Sequence, residues 1–258
     1  MANFYKPHRH VNWNYGGPKW RLSRSKIELF IECPRCFYID NKLGTARPRG
    51  FPMNLNTAVD TLLKKEFDLY RAKKQPHPLM EKFNVDAIPL DHPKMDTWRE
   101  NFEGVDFFHA PTGMTICGAV DDLWVNKRGE IYVVDYKSTS KDEKVSLDAD
   151  WQISYKRQME IYQWLLRQNG FNVSPTAYFV YANGKTDEDA FNSKIEFDLD
   201  ILPYEEQGLF NEDLLFKIKE ALDSDEMPKA GHDCETCLFF NTRKEVDRGE
   251  KEEVINID

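Results

Sequence analysis

Apolar positions along this chain change their period several times, and each change marks an element. Over residues 56–72, Val59, Leu62, Leu63, Phe67 and Tyr70 recur at spacings of three and four, which predicts a helix with one apolar face. From residue 114 the period shortens. MTICGAVDDLWV and EIYVVDYK, joined by the turn Asn126-Lys127-Arg128-Gly129, read as an antiparallel hairpin. A long helix is expected over roughly 148–168, stopping at Asn169-Gly170. TAYFVYAN supplies another strand, FNSKIEFDLD alternates weakly, and LPYEEQGLFNEDLLFKIKEALDSD contains a further helix. Upstream, LSRSKIELFIECPRCFYIDNKL opens with Ser23 and Ser25 as helix caps and breaks at Cys33-Pro34. Residues 76–111, with five prolines, look irregular apart from an aromatic stretch around Trp98 and Phe102. The order helix, strand, strand, helix, strand, strand, helix predicts an α/β fold without the regular alternation of a doubly wound sheet.

Composition bounds the function. The chain has 258 residues, 41% of them apolar, enough to bury a sizeable core. No apolar run approaches the ~18 residues needed to cross a membrane. The first residues lack the apolar segment of a secretory signal, so a cytoplasmic protein without membrane contact is expected. A net charge of −9 argues against a non-specific nucleic-acid coat protein. The charge is uneven, however. Residues 1–26 carry Lys6, Arg9, Lys19, Arg21, Arg24 and Lys26 and no acid, whereas the last fifteen residues carry six acids and three bases. The expected organisation is a basic arm over 1–26, one domain over 27–243 and an acidic tail over 244–258, which leaves room for a locally positive cleft.

The hairpin carries the first candidate chemistry. Asp121 falls in the middle of its first strand, and Asp135 and Lys137 fall near the end of its second. Alternation puts Asp135 and Lys137 on one face and Tyr136 on the other. Two carboxylates among Val, Ile, Leu, Trp and Tyr are costly unless a cation lies between them. A hard divalent ion bound through oxygens meets that need, and Lys137 would then neutralise developing charge. The plain alternative is a surface ion pair between Asp135 and Lys137. In the following helix, Gln158 and Tyr162 lie four apart beside Lys156 and Arg157, an arrangement suited to nucleic-acid backbone contacts or simply to a helix with a buried face.

Of five cysteines, four form two C-x₂-C pairs, Cys33/Cys36 and Cys234/Cys237. That spacing lets both thiolates of a pair reach one metal, and two pairs complete a four-sulfur site. Cys117, in an apolar strand, reads as a small buried hydrophobe. His232, beside Gly231, reads as a solvated loop residue.

Taken in order, G-x-x-D, D-x-K and Q-x-x-x-Y resemble the RecB-like branch of the PD-(D/E)XK nucleases, which includes the AddB nuclease domain and CRISPR-associated iron–sulfur exonucleases. The segment Ser23–Tyr38, with its S-x-S and C-P-R-x-F-Y elements, resembles the N-terminal signature of that branch. The resemblance implies a restriction-endonuclease-like core, a central mixed sheet flanked by helices, with the termini joined by the four-cysteine site. It also implies a Mg²⁺- or Mn²⁺-dependent DNA nuclease, in particular an exonuclease, serving repair, recombination or defence. Asp121, Asp135 and the Tyr136 carbonyl would be metal ligands, Lys137 the catalytic lysine, and Gln158 and Tyr162 the associated helix motif. The substrate would be single-stranded DNA or duplex ends, with a helicase supplied by another chain. Where the family often places a metal-binding histidine on the first long helix, this chain has Asp60, a candidate oxygen ligand. The family's cysteines hold a [4Fe-4S] cluster in a one-plus-three distribution. The two-plus-two distribution here suits Zn²⁺ equally well, so both remain open. The competing classes are a catalytically inactive nucleic-acid-binding module of the same fold and a metal- or redox-sensing protein built on the cysteines.

Overall fold

The structure, a computed structural model, describes residues 7–48, 50 and 52–249. In chain order the elements are β1 (Leu22–Ser23), α1 (Arg24–Glu32), α2 (Pro34–Asn41), α3 (Asn54–Lys73), α4 (Pro78–Lys82), β2 (Ile88–Pro89), α5 (Met95–Arg99), β3 (Val105–His109), β4 (Met114–Gly118), β5 (Asp122–Val125), β6 (Ile131–Thr139), α6 (Ile153–Gln168), β7 (Thr176–Gly184), β8 (Phe197–Glu205), α7 (Asp213–Asp223) and α8 (Glu235–Asp247). They fall into two compact units, Phe51–Asn211 and the pair of segments Met1–Gly50 and Glu212–Asp258.

The Phe51–Asn211 unit is built on a five-stranded mixed sheet in the order β2-β5-β6-β7-β8. Strand β6 lies in the middle. It is antiparallel to β5 and parallel to β7, and the parallel step requires a crossover, which α6 provides. Being central, β6 is buried from Val133 to Tyr136, so its alternation assigns side chains to two different interiors rather than to core and solvent. Tyr136 and Val134 join Leu63 and Phe67 of α3, Trp124 of β5 and Val180 of β7 in one apolar cluster, with Phe67 stacked on Trp124. The long helix holds as expected, with one exception: Leu62 is 63% exposed, and Arg71 takes part in the buried face instead, drawn in by Asp122.

Two expectations are corrected. The stretch MTICGAVDDLWV is not one strand. It divides into β4, which pairs with β3, and β5, which pairs with β6, and Asp121 lies in the break between them. The stretch 76–111 is not irregular, since it holds α4, β2, α5 and β3. Here His77 caps α4 through Nδ1, Pro78 occupies its first turn, and Pro89 belongs to the short terminal strand β2, where a missing N–H is tolerated.

In the other unit, α1 stops at Cys33 because Pro34 cannot continue it, and Pro34 instead opens α2. The basic segment is tied down where it is described: Arg9 pairs with Asp40 at 2.5 Å and the Trp20 indole N–H donates to Asn41 at 3.1 Å. Lys6 and the acidic residues from 250 onward lie outside the described residues.

Candidate active site and metal centre

The break after β4 positions the first acid. Gly118 faces the Tyr162 ring so closely that an added Cβ would stand 2.4 Å from it. The chain then turns, with Val120 N–H on the Trp98 carbonyl (3.0 Å) and Arg99 Nε on the Asp121 carbonyl (2.9 Å). Asp121 is thereby laid against the middle of β6, where its Oδ2 accepts from the Tyr136 amide at 3.0 Å. Its other oxygen faces the Lys64 ammonium at 2.9 Å, and the same ammonium reaches Asp60 Oδ2, also at 2.9 Å. Burial and the Asp121 charge push the Asp60 carboxyl above its ordinary value despite the lysine.

Asp135 is 1% exposed. Gln158, one of the two motif residues on α6, donates to its Oδ1 at 2.6 Å, and the Lys137 ammonium is seated on its Oδ2. Lys137 also lies over the Tyr155 ring, 4.4 Å from its centre. Two sets of contacts thus meet neighbouring residues of β6: Asp121, with Lys64 and Asp60, at the Tyr136 amide, and Lys137 and Gln158 at Asp135. Tyr162 is buried against Gly118 and acts on the strand break, and Arg157, which the sequence offered for backbone contacts, is buried as well.

The neighbouring acid is the one sequence reasoning passed over. Asp122 is 0% exposed and accepts from Arg71 Nη2 (2.5 Å), the Tyr136 hydroxyl (2.6 Å) and the Leu123 amide (2.7 Å), with Arg99 at 3.3 Å. Burial and this carboxylate push the Tyr136 hydroxyl well above its ordinary value. Alternation was the available signal: Asp121 and Asp122 must face opposite ways, and only one can face Asp135. Lys64 was also missed. It is one turn from Asp60 on α3, and an i,i+4 pair alone reads as a surface ion pair.

The donors on this side are hard carboxylate oxygens, the chemistry that Mg²⁺ and Mn²⁺ take, and the two ammonium groups lie where positive charge is demanded. Among the described residues, the four cysteines are the group whose ligand atoms all converge, within 4.8 Å of one another. Sγ···Sγ distances are 3.7 Å for Cys33–Cys237, 3.7 Å for Cys36–Cys234 and 3.4 Å for Cys36–Cys237. Each pair lies at a helix N-terminus, of α2 and of α8, where N–H groups and the helix dipole favour thiolates. The Gly231 amide donates to Cys33 Sγ at 3.2 Å, and only glycine fits there, since a Cβ would stand 2.1 Å from the Glu32 carbonyl. Arg47 donates to Cys234 Sγ at 3.4 Å while paired to Glu32 at 2.7 Å. Burial opposes ionisation of Cys33, yet the Gly231 and Cys36 amides hold its thiol down at about 7. Cys36 is pushed up to about 11 by burial, and Cys237 is also pushed up by burial and its fellow thiols. Cys117 is buried in β4, away from the four, and His232 is exposed beside Asp233.

No curated protein matches this chain. A solved structure described as "Crystal structure of SSO0001" is similar over 86% of this chain and 84% of its own, at 15% identity and a TM-score of 0.38, too slight a likeness to carry weight. The model of the PD-(D/E)XK nuclease superfamily matches residues 72–241, well over half the chain and inclusive of Asp121, Asp135, Lys137, Gln158 and Tyr162. The chain belongs to the PD-(D/E)XK nuclease superfamily.

Proposed function

We propose that this chain is a Mg²⁺- or Mn²⁺-dependent DNA exonuclease of the RecB-like branch, hydrolysing phosphodiesters at the Asp121–Asp135 centre. Membership supports a nuclease acting on nucleic acid with a divalent ion. The observation that supports the site is the hydrogen bond from the Tyr136 amide to the Asp121 carboxylate, which sets the acid of the β4–β5 break against the residue of β6 next to Asp135, on which Lys137 is seated. Asp121, Asp135 and the Tyr136 carbonyl would hold the ion, with Asp60 within reach through α3. An ion held there polarises the phosphate and acidifies water. Gln158 fixes the Asp135 carboxylate, and the Tyr136 amide fixes that of Asp121, so neither has to reorganise. Lys137, held between Asp135 and the Tyr155 ring, is placed to neutralise charge growing on the phosphate. Repair, recombination or defence would employ such an activity, with any unwinding done by a partner helicase.

For the cysteines we favour Zn²⁺ over a [4Fe-4S] cluster. A tetrahedral ion with Zn–S bonds of about 2.3 Å sets its sulfurs about 3.8 Å apart, close to the spacings here. A four-iron cluster binds each thiolate through a different iron and needs a wider spread. Iron and zinc analysis with a visible absorbance spectrum decides it: stoichiometric iron in a coloured protein overturns the zinc reading.

One observation favours a second reading, a catalytically inactive nucleic-acid-binding module: the Lys64 ammonium neutralises Asp60 and Asp121 together. The deciding assay incubates labelled single- and double-stranded DNA with wild type, Asp135→Ala and Lys137→Ala in Mg²⁺ or Mn²⁺. The nuclease reading expects cleavage that both variants abolish. Binding without cleavage in any metal selects the inactive module.

A further inference from the structure

Beside the acidic centre stands an exposed aromatic on an unusually fixed support. Trp151 lies in the 3₁₀ turn Asp150–Gln152 that leads into α6, and it is 55% exposed. The turn is pinned from within. Gln152 is buried, its Oε1 accepts from the Ala149 amide (2.9 Å), and its Nε2 donates to the Ser146 carbonyl (2.8 Å) and the Tyr181 hydroxyl (3.3 Å). The preceding loop is clamped to the end of β7, where Lys141 and Asn183 exchange two hydrogen bonds of 2.9 Å. The indole stands edge-on to Tyr155, 5.3 Å between centres at 85°. Lys141 lies 5.7 Å from the indole centre, and Lys137 lies 4.4 Å from that of Tyr155. Asp135, Lys137, Tyr155, Trp151 and Lys141 thus form a continuous line leading out from Asp135, two adjoining rings with a lysine at either end.

We propose that Trp151 is a stacking platform for an unpaired nucleobase next to the scissile phosphodiester, and that it is the residue through which an unpaired strand is held in preference to a duplex. The inference rests on the nuclease reading and deepens it. Lysines spaced along a cleft attract phosphates, and a rigid indole among them supplies the apolar face on which a base stacks. A base inside a duplex already has both faces covered, so away from a duplex end only an unpaired one can use the ring. From Lys137 to the indole is a reach of about one to three nucleotides along a strand. Because the turn is already fixed, stacking does not have to order it.

The test measures fluorescence anisotropy of labelled oligothymidylate, a duplex closed at both ends by hairpins and an abasic strand on Asp135→Asn protein, expected to bind without cutting, with and without Trp151→Ala or Trp151→Phe. Trp151→Ala should weaken single-strand binding by about five- to a hundredfold, leave the duplex unchanged, and make normal and abasic strands equivalent. Trp151→Phe should keep most of the affinity. Unchanged single-strand binding in a normally melting Trp151→Ala protein overturns the proposal, as does equal weakening of strand and duplex. If Trp151→Ala melts early, the Phe variant and the abasic strand decide instead. Wild-type protein that cuts strand and duplex alike, with Trp151→Ala without effect, sinks the stacking platform alone, whereas wild type that neither binds nor cuts any nucleic acid sinks the nuclease reading itself.

Discussion

The cysteine cluster and the acidic centre both gather like-charged ligands, and they neutralise them in opposite ways. The four sulfurs converge within 4.8 Å, with Arg47 as the cationic group seen bonded to them. The carboxylates come with ammonium groups of their own, Lys64 between Asp60 and Asp121 and Lys137 on Asp135. A cluster that lacks enough internal positive charge depends on a bound ion to hold its thiolates together, and it belongs to folding. A centre that carries its own cations persists without an ion and can exchange one, as a reaction centre must. Under the proposed function, the contrast would give structure to one region and turnover to the other.

Breaking the contrast is easiest at the cysteines. Removing their metal with a strong chelator, or replacing Cys36 with serine, should lower the melting temperature by about 10 °C or more by calorimetry. Dialysis into buffer free of Mg²⁺ and Mn²⁺, without chelator, should barely move it. Next in size is Asp122→Ala, which takes a buried carboxylate from Arg71, Arg99 and the Tyr136 hydroxyl, leaves Asp68 as the arginines' carboxylate partner, and should cost about 3 kcal/mol in urea unfolding. Asp121→Ala should cost less stability and more activity, and the reverse order would mean the roles of the two acids are exchanged. Gly118→Ala presses a methyl into the Tyr162 ring and should cost about 1–3 kcal/mol, with reduced activity through the displaced Asp121. The smallest effect is sought at Lys64. Lys64→Ala should lower the Mn²⁺ concentration for half-maximal activity a few-fold, because a competing cation is gone. A raised requirement would show that the lysine assists the reaction.

Much of this was legible before the fold was known, and the gaps have physical causes. The helix over 54–73, the strand at 131–139, the crossover helix and its stop at Gly170 all follow from local periodicity and caps, as does the Cys33-Pro34 break. The shared side of Asp135 and Lys137 on β6 was readable from alternation. The division of 114–125 into two strands was not, because it depends on a close approach between Gly118 and a ring more than forty residues away. The buried role of Arg71 depends on Asp122, and that of Lys64 on Asp121, both partners distant in sequence. Trp151 was not singled out because an exposed aromatic in a short turn leaves no periodic signal. The sulfur site was legible in its ligands but not in its occupant, since spacing along the chain does not state how far apart the sulfurs finally stand.

The central claim is that one divalent ion is shared by Asp121 and Asp135. A crystal grown with Mn²⁺ and measured for anomalous scattering tests it directly. The expected result is a peak within about 2.0–2.3 Å of an oxygen from each carboxylate, with Lys64 drawn aside. A map with Mn²⁺ absent from this spot, and both lysines still seated on the acids, would contradict the account.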